Sequence, residues 1–128
     1  MKNYVFINRR KILIYFTLYT NKFIPKGSAG CSRTFFILIK PEYKDDIGLH
    51  KHEIKHVRQF WSKGLIIFSI RYKFSKTFRL KCEVEAYKEQ LVYPPANNSE
   101  EYKYIYAHYI SEDYGLSITF KEAFNLLN

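Results

Sequence analysis

The sequence predicts an α+β fold in a single domain, with a small strand-rich part over residues 1–40 and a mainly helical part over residues 45–128. Three observations carry this. The early apolar segments are short and rich in β-branched and aromatic residues, as pleated, half-buried strands require. After Pro41 the apolar residues recur at helical spacing, and residues able to cap a helix stand at the starts of those segments. No internal repeat or linker divides the 128 residues.

In chain order, Tyr4 to Ile7 and Lys11 to Tyr19 read as strands turned at "NRRK". The same stretch argues against a signal peptide, because Asn8 to Lys11 interrupt the apolar run and no small-residue cleavage site follows. "PKGSAGCS", Pro25 to Ser32, is the strongest loop signal, and "RTFFILIK", Arg33 to Lys40, reads as one compact strand stopped by Pro41. Asp45 or Asp46 then caps a helix running to about Gly64. Leu65 to Phe78 reads as a second helix, partly buried with its lysines reaching out to water, and Phe78 to Val92 as a third. "YPPANNS" ends the third, Ser99 caps a tyrosine-rich helix through His108 or Tyr109, and Thr119 with Glu122 forms a capping box for a last helix, Lys121 to Leu127.

Bulk properties narrow the classes of function. A net charge of +9 with 12 tyrosines and 11 phenylalanines suits phosphate neutralisation and base stacking. The basic residues are scattered, however, and no aromatic RNA-binding signature or arginine-rich tail accompanies them, which argues against a dedicated nucleic-acid binder. "GLIIFSI", Gly64 to Ile70, falls far short of the roughly 20 residues that cross a bilayer, so no transmembrane segment is expected. Cys31 and Cys82 are too few for a disulfide framework, which points to a reduced, cytoplasmic setting.

The chemistry concentrates in "HKHEIKHVRQFW", His50 to Trp61. His52-Glu53-Ile54-Lys55-His56 matches H-E-x-x-H, whose spacing puts two imidazoles on one helical face to share a zinc ion while Glu53 reaches a water as general base. At about 100° per residue, with His52 as zero, His56 lies near 40° and Gln59 near 340°, whereas Ile54, Val57 and Trp61 gather between about 140° and 200°. His50 falls near 160°, on the apolar side, and is expected to serve structure or to support the ligands from behind rather than bind the metal. For a third ligand, "RLKCEVEAYKEQL", Arg79 to Leu91, offers three glutamates. Glu83 shares a mostly uncharged face with Ala86, Tyr87 and Gln90, while Glu85 lies among charged neighbours on an expected solvated face. Periodicity therefore favours Glu83, with Glu85 as the fallback, and reads Cys82 as a small buried residue.

The pair "HEIKHVRQFW" and "CEVEAY" resembles the gluzincin group of zinc metallopeptidases, and more closely small bacterial and phage zincins with the pattern H-E-x-x-H-V-x-Q followed by E-x-E-A-Y. The resemblance spans about Thr34 to Gln90. It implies a minimal zincin-like domain: a small sheet with an edge strand, an active-site helix and a glutamate-bearing helix. It further implies one zinc ion per chain on His52, His56 and Glu83, with Glu53 as the base and "RTFFILIK" as the edge strand along which an extended peptide lies. The aspartate that ends the gluzincin pattern is Tyr87 here, so the residue that orients a zinc histidine is left open.

The expected function is zinc-dependent hydrolysis of peptide bonds in a peptide or protein substrate. His108, Tyr87, Tyr104 and Tyr106 are candidate donors to the transition state. A second reading keeps the zinc but gives up turnover: a zincin-like module with a structural or assembly role, virion-associated if encoded by a phage. A third uses the basic and aromatic stretch Leu65 to Arg79 to bind nucleic acid or a membrane surface.

Overall fold

The computed structural model describes residues 2–8 and 11–128, with side chains from Tyr15 onward. Among the described residues the strands are β1 (Lys2–Asn8), β2 (Lys11–Tyr19), β3 (Gly30–Arg33) and β4 (Phe36–Ile39). The helices are α1 (Ile47–Lys63), α2 (Leu65–Phe74), α3 (Lys76–Val92), α4 (Glu100–Glu112) and α5 (Phe120–Leu126). The architecture is thus α+β. The turn expected at "NRRK" falls on Arg9 and Arg10, outside the described residues.

The sheet runs in the order β1-β2-β4-β3, with β2 and β4 parallel and the two outer pairs antiparallel. Thr17 is opposite Ile37 in the parallel pair, so the period-2 alternation aims Tyr15 and Thr17 of β2 and Ile37 and Ile39 of β4 at one face. That face packs against Leu49, Ile54 and Val57 of α1 to make the first core. The second core is helical: Tyr87 and Leu91 of α3, Tyr106, Ala107 and Ile110 of α4, Ala123 of α5, and Leu116 and Leu127 beside them. Between these two cores α1 is buried on two sides, by the sheet and by α3.

Two expectations about the elements are corrected. The segment Arg33 to Lys40 is not one strand: Thr34, at φ 57°, and Phe35 form a tight turn, and the "GCSR" segment read mostly as loop pairs back as β3. The edge beside α1 is therefore β3, and β4 is an interior strand. The helix expected from Leu65 to Phe78 ends at Phe74, because Ser75 leaves helical geometry and accepts from the Phe78 backbone N–H as the cap of α3. Within α2 Phe68 and Tyr72 are half-buried and the other residues exposed, in keeping with the partly buried helix expected there.

Candidate metal centre

Asp46 starts α1 by accepting from the Leu49 backbone N–H, and Gly64 ends it at φ 85°, a backbone angle that a residue without Cβ adopts freely. The register between those ends sets which residues look at α3. Ile54 and Val57 turn to the sheet, while His52, His56 and Gln59 turn to Cys82, Glu83, Ala86 and Tyr87. Trp61, expected on the apolar stripe, is instead 46% exposed and rests against Phe35, because the sheet ends before it.

The structure brings His52, His56 and Glu83 together, with one donor atom from each lying within 4.8 Å of the others. His52 Nε2 and His56 Nε2 are 3.0 Å apart, and the Glu83 carboxylate lies 3.5 Å from the first and 3.3 Å from the second. A tetrahedral zinc ion with bonds of roughly 2.1 Å would space its donors about 3.4 Å apart, close to the 3.5 Å from His52 to Glu83 Oε2 and the 3.3 Å from His56 to Glu83 Oε1. Glu83 Oε2 is buried with no hydrogen-bond partner, although an unsatisfied buried carboxylate oxygen is costly. Two imidazoles, a carboxylate and an orphaned anionic oxygen converging on one point fit a divalent cation of the zinc type.

The ring of His56 is held from behind. Its Nδ1–H donates to Gln59 Oε1 at 2.9 Å, which leaves the Nε2 lone pair for a metal. Gln59 is fixed in turn, since its amide donates to the Cys82 carbonyl and to Glu85 Oε2, each at 3.0 Å. Gln59, with Glu85 behind it, thus fixes the orientation of the His56 ring. Glu85 is half-buried rather than solvated, and it holds Gln59 instead of joining the ligand set. On the other side Tyr87 stands edge-on to the His52 ring with centroids 4.4 Å apart.

Charges at the site are strongly coupled. Burial would lower the His56 pKa, but the Glu83 carboxylate outweighs this and lifts it to about 9. Burial would raise Glu83, but His56 and His52 hold it well below the usual carboxylate range. Glu53 is raised, chiefly by burial, with the two histidines opposing. His50 lies outside the cluster: its Nε2 meets Thr17 Oγ1 at 2.8 Å, and its ring stands edge-on to Tyr15.

Two clefts meet here. The larger, about 720 Å³, is lined by His52, Glu53, Tyr87, Gln90, Tyr106 and Tyr114, among others. The smaller, about 300 Å³, includes Gly30, Cys31 and Ser32 of β3 with Glu53, His56 and Tyr72. His52, Glu53 and Tyr114 line both. Of the proposed donors, Tyr104 and His108 line neither, because α4 turns them onto Phe120. Tyr106 and Tyr87 line the larger cleft, and the Tyr87 hydroxyl is paired with that of Tyr114 at 2.7 Å.

Two tyrosines escape the sequence reading. Tyr72, on α2, donates its hydroxyl to Glu83 Oε1. Tyr114, in the bend after α4, reaches both clefts. The only signal was helical spacing, Tyr72 being four residues past Phe68, and nothing in spacing says which partner an inward tyrosine meets. Compared with protein-family models, curated proteins and solved structures, the chain shows no significant match.

Proposed function

We propose that this protein is a zinc-dependent peptidase with His52, His56 and Glu83 as metal ligands and Glu53 as the general base. The carrying observation is the convergence of the three donors between two clefts, with the buried Glu53 carboxyl beside them and lining both. Three protein ligands suit a catalytic rather than a closed structural zinc site. The chemistry supplied by a zinc ion there is Lewis-acid: acidification of a water and polarisation of a peptide carbonyl.

The chain's own residues perform the remaining work. Burial raises the Glu53 pKa above its ordinary value, which makes its carboxylate a better proton acceptor. It takes the proton as the water oxygen bonds to the carbonyl carbon, and delivers it to the departing amine nitrogen as the C–N bond breaks. Tyr114 is the donor best placed to meet charge developing on the carbonyl oxygen, since it lines both clefts. Burial and the nearby carboxylate Glu83 push its pKa well up, so it stays a hydroxyl donor. The edge strand β3, whose residues line the smaller cleft, offers backbone groups to an extended peptide, which favours a broad polypeptide substrate class.

The test is zinc-loaded wild type beside Glu53→Gln on a broad peptide library. Glu53→Gln should retain about one zinc per chain and lose at least about a hundredfold in cleavage rate. A zinc-loaded wild type that cuts nothing would end the peptidase reading and leave the zinc-binding assembly module. Absence of bound zinc would end both.

A further inference from the structure

The helix α2 exposes its apolar residues instead of burying them. Ile66 is 69% exposed and Phe74 76%, with Leu65, Ile67 and Ile70 each more than half exposed. At about 100° per residue, with Leu65 as zero, Ile66, Ile70, Phe74 and Ile67 fall between about 100° and 200°. Lys73 borders that stripe near 80° and Arg71 near 240°. The inward residues, Phe68 and Tyr72, pack on Phe60, Phe78 and one another, so the exposed stripe belongs to a helix firmly seated on its other side. Arg79 also ties down the end of α2, donating to the carbonyls of Tyr72 and Lys73.

We propose that α2 is a docking helix for an anionic lipid surface. From Ile54 to Cys82 the chain carries eight lysines and arginines and no aspartate or glutamate, so the segment that bears the stripe is cationic. A convex aliphatic ridge flanked on both sides by cations is the arrangement with which a helix lies in a bilayer interface: apolar side chains enter the acyl boundary and cations reach the phosphates. A second copy of the chain is a poorer occupant, because pairing α2 with itself would bring like charges together with no acidic residue to offset them. At ten residues α2 is about 15 Å long, so it lies on a membrane and does not cross it. Phe68 and Tyr72, on the opposite side of α2 from the stripe, line the smaller cleft, so α2 would lie between that cleft and the lipid.

The test is co-sedimentation of the full chain with vesicles of phosphatidylglycerol and phosphatidylcholine, beside vesicles of phosphatidylcholine alone. Wild type should bind the anionic vesicles, and binding should weaken as salt rises. Replacing Ile66, Ile70 and Phe74 together by Ser should weaken it at least tenfold, and Lys73→Gln by about fivefold. Unchanged melting of these variants would show that the fold is retained, as their exposure leads one to expect. The proposal is overturned by any of three results: no binding to anionic vesicles, equal binding by the triple serine variant, or a wild-type dimer that the triple variant converts to monomer. None of these outcomes depends on peptidase activity.

Discussion

At His56 the two ring nitrogens have different duties. Nδ1 is committed to Gln59, and Nε2 faces His52 and Glu83. Gln59→Ala would free the ring to rotate and leave Glu85 without its donor, so zinc affinity should fall roughly 10–100-fold by competition with a chelating dye. An unchanged affinity would mean that packing alone aims the ring. The His56–Glu83 pair also sets a pH signature for the metal-free protein. His56 titrates at 6.5 when unperturbed and about 9 in the fold, so its contribution is complete below 6.5 and disappears as pH rises through about 9. Glu83 is lowered from 4.5, so its contribution is present above that value and disappears as pH falls further. Denaturant midpoints measured with a chelator should therefore be highest between about 4.5 and 6.5 as far as this pair decides. A chelated protein that gains stability between pH 7 and 9 would contradict the assignment. Of these residues, the grouping of His52 with His56 on one face was legible because H-E-x-x-H spacing expresses helical geometry locally. The part played by Gln59 was not, since its partners lie on another helix.

At the scale of elements, the crossing of α1 on α3 decides whether a site exists. Gly48 is a point of close approach: a Cβ there would lie 2.9 Å from the Gln90 carbonyl oxygen and 3.2 Å from that of Pro94. Those are backbone atoms, so the helices themselves would have to move apart. Gly48→Ala should therefore destabilise by about 1–3 kcal/mol even though alanine favours helix by about 1 kcal/mol, and zinc affinity should drop because His52 sits one turn along. Thermal melting beside zinc titration would check both. The starts of α1, α4 and α5 were legible in Asp46, Ser99 and Thr119, because a cap is a contact across three residues. The break at Ser75 and the hairpin at Thr34 were not legible. No glycine or proline marks either position, and only the surfaces packed on either side make a turn favourable.

In the whole molecule, α1 links a sheet core to a helical core, and the His52, His56 and Glu83 cluster lies where α1 meets α3. An ion there would tie the two cores together. Zinc at about a thousand times its Kd should add roughly 4 kcal/mol, and removing it should lower Tm by on the order of 10–15 °C for a domain of this size. A melting curve indifferent to chelation and to added zinc would exclude the site as a metal centre. The sequence by itself determined the α+β class, most helix starts, the pairing of His52 with His56 and the preference for Glu83 over Glu85, because each follows from periodicity within one helix. Only the tertiary structure decided that β3 is the edge beside the site, that Tyr72 and Tyr114 reach it, and that α2 turns its isoleucines to solvent. Those are relations between elements distant in the chain, fixed by which surfaces remain to be buried once the two cores have formed.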